Sequence, residues 1–324
     1  MMTKAIVVRA NGGPEVLKLE DWEVGEPGPG QIRIRQHAIG LNFVDTYQRS
    51  GLYKRDMPFV AGNEAAGEVT AVGADVTEFK VGDRVAYQGE PGAYAEERLI
   101  FANRVAPLPD GIDYETAAAV GLKGATAYYL LFMTHALKKD ETILFQAAAG
   151  GMGLIACQWA HALGARVIGT AGSDEKVALA KANGCDEVIN YRTEDFVDRV
   201  RQLTGGQGVD VVYDGVGKDT FEGGLDCLKP RGLMVSFGNA SGPVSIPNLG
   251  ILATKGSLYV TRPTGGTYWR KTEDYRAGLA AVYQAVLDGM IKVAVHHRFA
   301  LADAAEAHRA LEGRQTTGSV VLLP

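Results

Sequence analysis

Along the first third of the chain, apolar positions fall in short runs or alternate with polar ones. The segments "KAIVVRA", "QIRIRQHAIGLN", "AAGEVTAVG", "DRVAYQG" and "AYAEERLIF" are rich in β-branched residues and bounded by glycine and proline, which predicts strands. "GEPGPGQ" and "EPGAY" predict the turns between them. Their spacing suits an antiparallel barrel or sandwich. The rhythm then changes. "ETILFQAA" predicts a buried strand, "GLIACQWAHAL" a helix that Gly164 stops, and "ARVIGTAG" a further strand. "SDEKVALAKAN" predicts a helix capped by Ser173 or Asp174 and ended by Gly184. The strand "EVINY", the helix "TEDFVDRVRQL", the strand "VDVVYDGV", a helix near "TFEGGLDCLK" and the strands "GLMVSFG" and "GSLYV" continue the alternation. Such alternation predicts right-handed βαβ units on a parallel sheet. In the tail, "TEDYRAGLAAVYQAVLDGM" and "ADAAEAHRALEG" predict helices and "GSVVLLP" a last strand, without a clean βαβ alternation. The expected architecture is α/β. It has a β-rich domain over 1–123, an inserted α/β domain over 124–264, and a tail, 265–324, that returns to the first domain.

Between the first strand and helix of the α/β domain stands "AAAGGMGLIACQWA", residues 147–160. A glycine turn that joins a strand to a helix is the setting in which the dinucleotide fingerprint G-x-G-x-x-G is credible. Gly150 and Gly153 fill two of its glycine positions, and Ala148 stands at the first. Without a Cβ, Gly150 lets a pyrophosphate approach the backbone, and Gly153 lets the helix pack on its strand. The free N–H groups at the helix N-terminus favour a phosphate. Ala148 requires only an ordinary φ. The plain alternative is a tight turn with no ligand; the strands and helices around it argue for the cofactor. An NAD site places Asp or Glu at the end of the second strand, for the ribose 2′-hydroxyl. Here the strand ends Ala171-Gly172-Ser173. A serine hydroxyl donates to a 2′-phosphate that a carboxylate would repel. Lys176, one helical turn on, adds a cation, and Tyr191, after the third strand, adds a hydroxyl. Asp174 and Glu175 count against this unless they face solvent at the helix N-terminus. The balance predicts NADPH.

Composition narrows the classes that remain. A length of 324 residues suits about two domains. A net charge of −5 and a pI near 5.8 supply no net basic field for nucleic acid. Cys157, Cys185 and Cys227 are far apart, with no C-x-x-C, and suit a reducing compartment. No apolar run reaches the ~18 residues of a membrane span. "MMTKAIVVRANGG" lacks the apolar core and cleavage site of a signal peptide. The expectation is a cytoplasmic protein with neither a membrane nor a nucleic-acid partner.

"GLNFVDTYQRSGLY", "AGNEAAGEVTAVG" and "VGDRVAY" resemble the medium-chain dehydrogenase/reductase superfamily. Its zinc alcohol dehydrogenases carry a Cys-His pair, a Gly-His-Glu and a further cysteine. At the matching places stand Asn42 and Phe43, Asn63, and Leu122. None is a good zinc ligand, and Gly89 to Gly92 is too short for the structural-zinc loop. The expectation is no metal and no Lewis-acid step. With "GPEVL", "LKGATAYYLL", "VINYRTED", "VVYDGVG", "LDCLKPRGLMVSFGN" and "GSLYVTRP", the resemblance covers essentially the whole chain. It is closer to zinc-free quinone oxidoreductases of the zeta-crystallin type than to enoyl or alkenal reductases.

The resemblance implies a GroES-like β-barrel-type domain with an inserted Rossmann domain, NADPH as cofactor, and a homodimer paired through "GSLYV". It also implies site residues. Asn42, Phe43, Asp45 and Tyr47 would lie beside the nicotinamide and the substrate, with Tyr53 at the pocket rim. Thr126 and Tyr129 would line the cofactor site. Gly150, Gly151, Met152 and Gly153 would hold the pyrophosphate, and Gly172, Ser173, Lys176 and Tyr191 the 2′-phosphate. Val216, Phe237, Gly238, Asn239 and Ser241 would border the nicotinamide half. Arg262, Pro263 and Arg314 would complete the site.

Three functions fit this pattern. Quinone reduction needs little acid–base help, because the oxygens take protons from water. That suits a site with no histidine and no metal. Asn42 would position the carboxamide or the substrate. Tyr47 and Tyr53 would stack on a flat quinone or donate to a developing oxyanion; their plain alternative is aromatic packing. Asp45 reads equally well as a hydrogen-bonded turn residue. The second function is NADPH-dependent reduction of an activated C=C bond in an enone or alkenal, with Tyr47 or Tyr53 as proton donor. The third is a nucleotide-sensing, structural or RNA-binding role, against which the intact loop and the acidic pI weigh.

Overall fold

The computed structural model describes residues 1–324. In chain order its strands begin with β1 (Met2–Val8), β2 (Lys18–Glu23), β3 (Gln31–Gly40), β4 (Phe59–Val60) and β5 (Glu64–Val72). They continue with β6 (Arg84–Gln88), β7 (Glu97–Phe101) and β8 (Ala106–Pro107). Next come β9 (Thr142–Phe145), β10 (Arg166–Ala171), β11 (Glu187–Asn190), β12 (Val209–Asp214), β13 (Leu228–Ser236) and β14 (Tyr259–Thr261). β15 (Val295–Ala300) and β16 (Ser319–Leu323) close the series. The helices are α1 (Phe43–Ser50), α2 (Tyr114–Tyr128), α3 (Gly151–Ala162), α4 (Asp174–Lys181) and α5 (Phe196–Leu203). They are followed by α6 (Phe221–Asp226), α7 (Gly250–Thr254), α8 (Gly265–Tyr268), α9 (Thr272–Leu287) and α10 (Ala304–Glu312). None is long and apolar enough to cross a membrane. The chain divides into two compact units, one of 1–125 with 268–289 and 293–324, the other of 126–267 with 290–292.

In the first unit β3 is the central strand. It pairs antiparallel with β5, β7 and β16, and its alternation turns Ile32 and Ile34 inward. They meet Val69, Val85, Tyr87, Ile100 and Leu322 in one core. The inward Gln36 is satisfied by donating to the Ala93 carbonyl at 2.8 Å. Two elements depart from expectation. β15 runs parallel to β16 with α10 between them, so the tail does contain a crossover unit. Its strand "VHHRFA" alternates half-buried and exposed positions and carries two histidines, which hid it. "NFVDTYQRS" is a helix, α1, inside a stretch read mainly as strands.

The second unit holds a six-stranded sheet in the order β11-β10-β9-β12-β13-β14. Every ladder in it is parallel. Successive strands step outward from β9 in one direction, then resume from β12 in the other. That reversal is a topological switch point, and ligands of open α/β sheets bind beyond the strand ends there. Leu144, Ile168, Val212 and Met234 pack under Val200, Phe221 and Leu225. Gly164 and Gly184, at φ 85° and 91°, stop α3 and α4 as expected. Helix α5 starts later than "TEDFVDRVRQL" predicts. The Asp195 carboxylate accepts the Val197 and Asp198 N–H groups at 2.8 and 3.0 Å, so the cap, not the periodicity, sets the start.

Candidate functional site

Helix α1 inverts the usual amphipathic arrangement. Its buried side chains are Asp45, Thr46, Gln48 and Arg49, while Phe43 and Tyr47 are only half-buried. Those two rings lie 6.3 Å apart, and Tyr47 meets Tyr53 edge-on at 5.2 Å. Three expected site residues thus form one aromatic ladder, with Tyr53 partly exposed. The polar side is fully bonded. Asp45 accepts the Asn42 backbone N–H at 2.8 Å, the Asn63 amide at 2.5 Å and the Tyr94 hydroxyl at 3.0 Å. Asn63 also exchanges hydrogen bonds with Gln48 at 2.9 and 3.2 Å. Burial is the main force on Asp45 and pushes its pKa up to about 6, against the pull of its donors. Its bonds are those of a capping residue at the third helical position.

Below Asn42 lies a buried ion pair that sequence reasoning missed. Glu64 is fully buried and accepts from the Asn42 side-chain amide at 2.7 Å and the Leu122 N–H at 2.5 Å. The Lys123 ammonium stands 3.5 Å from the same carboxylate and 3.3 Å from the Leu41 carbonyl. Burial raises the Glu64 pKa; Lys123, Asn42 and Leu122 pull it back. The signal was present as an acid inside the small-residue run "AGNEAAG". Arg49, Tyr94 and His308, which support α1 from behind, had no local signal.

In the second unit the turn after β9 is built as a close approach of backbones. The left-handed position is Ala147, at φ 56°, not Ala148. Ala147 N–H donates to the Thr170 hydroxyl at 3.1 Å and Ala148 N–H to the Thr170 carbonyl at 2.9 Å, which pins the turn to β10. Gly150 is the N-cap of α3, extended at φ −75° and ψ 165°. A Cβ on Gly153 would fall 2.5 Å from the Ala148 carbonyl oxygen and 2.6 Å from that of Ala147. Gly151 and Met152 open the helix, half-buried, where its first N–H groups lack intrahelical partners.

At the end of β10 the Tyr191 hydroxyl overhangs Gly172, where a Cβ would sit 2.4 Å from it. Ser173 caps α4 by accepting the Lys176 backbone N–H at 3.3 Å, and its hydroxyl proton stays available to donate. Asp174 accepts from the Asn190 amide at 2.8 Å, while Glu175 is exposed. Gly172, Ser173, Lys176 and Tyr191 therefore meet at one strand end.

The loops after β12 and β13 are tied to one another. Asp214, buried, accepts the Val216 and Gly217 N–H groups at 2.7 and 3.0 Å. Ser241 donates to the Val216 carbonyl at 2.9 Å and accepts the Asp219 N–H at 3.0 Å. Gly238 backs onto Gly215, where a Cβ would be 2.2 Å from the Gly215 oxygen. Phe237 packs at 5.9 Å from Phe145, and Asn239, two residues after Phe237, is half-buried. Arg262 donates to the Ser236 carbonyl at 2.8 Å; Pro263 behind it is buried. Thr126 is half-buried in α2, and Tyr129 opens a π-helical turn, Tyr129–Thr134, a form common at functional sites. Arg314, in the first unit, is exposed just past α10 at φ 58°.

No group of three or more His, Cys, Asp or Glu side chains is placed to hold a metal ion. Asn42 and Asn63 spend their amides on Glu64, Asp45 and Gln48, so these positions do not fit zinc. Two family models match the chain. Residues 28–110 match the alcohol dehydrogenase GroES-like domain and 151–284 the zinc-binding dehydrogenase. A quinone oxidoreductase of Pseudomonas aeruginosa is 56% identical over 100% of both chains. A 2-haloacrylate reductase of Burkholderia is 46% identical over 100% of this chain and 99% of its own. The crystal structure of Escherichia coli quinone oxidoreductase complexed with NADPH superposes with a TM-score of 0.97. It is 50% identical, covering 99% of this chain and 100% of that one. The chain belongs to the quinone oxidoreductase family of the medium-chain dehydrogenases and reductases.

Proposed function

We propose that this chain is an NADPH-dependent quinone oxidoreductase that works without a metal. The observation that carries the cofactor is the end of β10. There Ser173, Lys176 and Tyr191 stand in place of the acid of an NAD site, and Gly172 clears room under the tyrosine hydroxyl. NADPH, when bound, supplies the hydride. The chain does the binding and orienting. N–H groups at the start of α3 hold the pyrophosphate, and Ser173, Lys176 and Tyr191 hold the 2′-phosphate. The ladder of Phe43, Tyr47 and Tyr53 offers a stacking surface to a flat acceptor. In the second unit, the loops carrying Val216, Phe237, Gly238, Asn239 and Ser241 shape the nicotinamide side; in the first, Glu64 anchors the Asn42 amide. The segments 1–123 and 265–324 serve the substrate and 124–264 the cofactor. Acceptor oxygens take protons from water, so no side chain has to titrate.

Lys176→Ala is expected to weaken NADPH by ~1.5–3 kcal/mol, the range for a hydrogen bond to a charged group, and to spare NADH. Fluorescence titration with both cofactors checks this; equal loss for both removes Lys176 from the 2′-phosphate site. The relative that reduces 2-haloacrylates supports a second reading, reduction of an activated C=C bond. A panel of naphthoquinones, alkenals and 2-chloroacrylate under NADPH separates the two, and turnover of alkenals with inert quinones replaces the first. The homodimer is proposed through β14, whose outer side has no strand partner in the sheet. A solution mass of one chain rejects it. The three cysteines are buried, unbridged thiols, in keeping with a cytoplasmic setting.

A further inference from the structure

The polar side of α1 is held by a chain of hydrogen bonds whose direction is determined throughout. Arg49 reaches the chain's far end: its guanidinium donates to both Glu312 oxygens, at 2.9 and 2.7 Å, and to His308 Nδ1 at 3.1 Å. A guanidinium only donates, so His308 Nδ1 accepts and the imidazole proton sits on Nε2. Nε2 lies 3.1 Å from the Tyr94 hydroxyl and donates to it. Tyr94 then passes its own proton bond to Asp45 at 3.0 Å. Asp45 ends the chain on the backbone N–H of Asn42, the N-cap of α1. His308 has no exposed surface and Arg49 almost none. Burial, and then Arg49, push the His308 pKa down to about 3, which keeps the imidazole neutral. Tyr94 is itself wedged against Gly62, where a Cβ would fall 2.0 Å from its ring.

We propose that His308 is a positioning residue for the acceptor-facing side of α1. It acts through Tyr94 and Asp45 on the helical turn that carries Phe43 and Tyr47. A helix seated by apolar packing tolerates small rotations. One seated by directional bonds does not, because hydrogen bonds weaken steeply off line, and a chain that runs from a guanidinium to a carboxylate strengthens each link. The buried Asp45, Gln48 and Arg49 of α1 all make such bonds to groups outside the helix, so the angle of its aromatic face follows from them. The inference rests on the reading that this face meets a flat acceptor.

The test uses the full chain with His308→Leu, His308→Gln and Tyr94→Phe. Kinetics with 1,4-naphthoquinone, NADPH titration and thermal melting are read in parallel. His308→Leu is expected to raise the KM for naphthoquinone about tenfold, the scale set by small misplacements in binding geometry, with NADPH affinity unchanged. Glutamine, whose Nε2 and carbonyl mimic the two ring nitrogens, restores most of it. Tyr94→Phe, which removes one hydroxyl, reproduces the leucine phenotype and covers the case in which leucine prevents folding. A lower melting temperature with unchanged naphthoquinone kinetics in both variants overturns the proposal, as does a glutamine variant no better than leucine. A wild-type protein that binds NADPH and leaves every quinone untouched overturns the quinone reading instead, and this inference with it.

Discussion

Lys123→Met is expected to destabilise the protein by about 3–5 kcal/mol at pH 7, the usual cost of removing one partner of a buried ion pair. Methionine keeps the length of the side chain and removes its charge. Glu64, fully buried, is left with two neutral donors, the Asn42 amide and the Leu122 N–H. The sign of the pH dependence follows from burial, which already holds the Glu64 pKa above its usual value. Loss of the ammonium raises it further. The native state then keeps a proton at pH values where the unfolded chain has released it, so protonation stabilises the variant as pH falls. The deficit against wild type is largest at neutral and alkaline pH and shrinks on acidification. Urea unfolding of both proteins across that range measures it. A loss under about 1 kcal/mol, the scale of an exposed pair, or a deficit that grows in acid would show that the pair is not buried as described. The double variant Glu64→Gln, Lys123→Met is expected to recover part of the loss, since no unpaired charge remains.

The contrast between this pair and the glycine turn explains how much was legible beforehand. The turn, the Ser173 cap and the stops at Gly164 and Gly184 depend on residues within a few positions of one another, so local pattern carries them. Glu64 and Lys123 are 59 positions apart, Asp45 and Tyr94 49, and Arg49 and His308 259; no window spans them. α1 was obscured for a different reason. Periodicity assigns apolar residues to the inside, whereas this helix buries Asp45, Gln48 and Arg49 and leaves Phe43 and Tyr47 half-covered. Such an arrangement is tolerable only because tertiary partners satisfy each polar group. Asp45 was read two ways, and its three accepted bonds give the capping role a complete physical account. Asn63, conspicuous as a replaced zinc ligand, serves as donor to Asp45 and partner of Gln48.

Gly153→Val and Gly150→Ala are expected to weaken NADPH binding strongly, by different routes. At Gly153 the intruding Cβ meets backbone, the Ala147 and Ala148 carbonyl oxygens at 2.6 and 2.5 Å. No side-chain rotation relieves this, and Ala147 is already left-handed at φ 56°. The start of α3 must retreat by about 1 Å to restore ordinary contact, and misplacement on that scale costs about 100-fold in a site built on geometry. The same overpacking lowers stability by ~1–3 kcal/mol. At Gly150 a Cβ finds only the Ala147 oxygen, at 3.3 Å, and the backbone angles suit any residue. Alanine there leaves the fold intact and blocks only the approach of the pyrophosphate. Melting temperature and NADPH titration together separate the two, with a fall in both for Gly153→Val and in affinity alone for Gly150→Ala. A Gly153→Val protein that binds NADPH within about threefold of wild type would mean that the turn gives way cheaply, against the rigidity expected of close-packed backbone. An unaltered affinity in Gly150→Ala would move the pyrophosphate away from Gly150 at the α3 N-terminus, while the 2′-phosphate assignment at the end of β10 would stand.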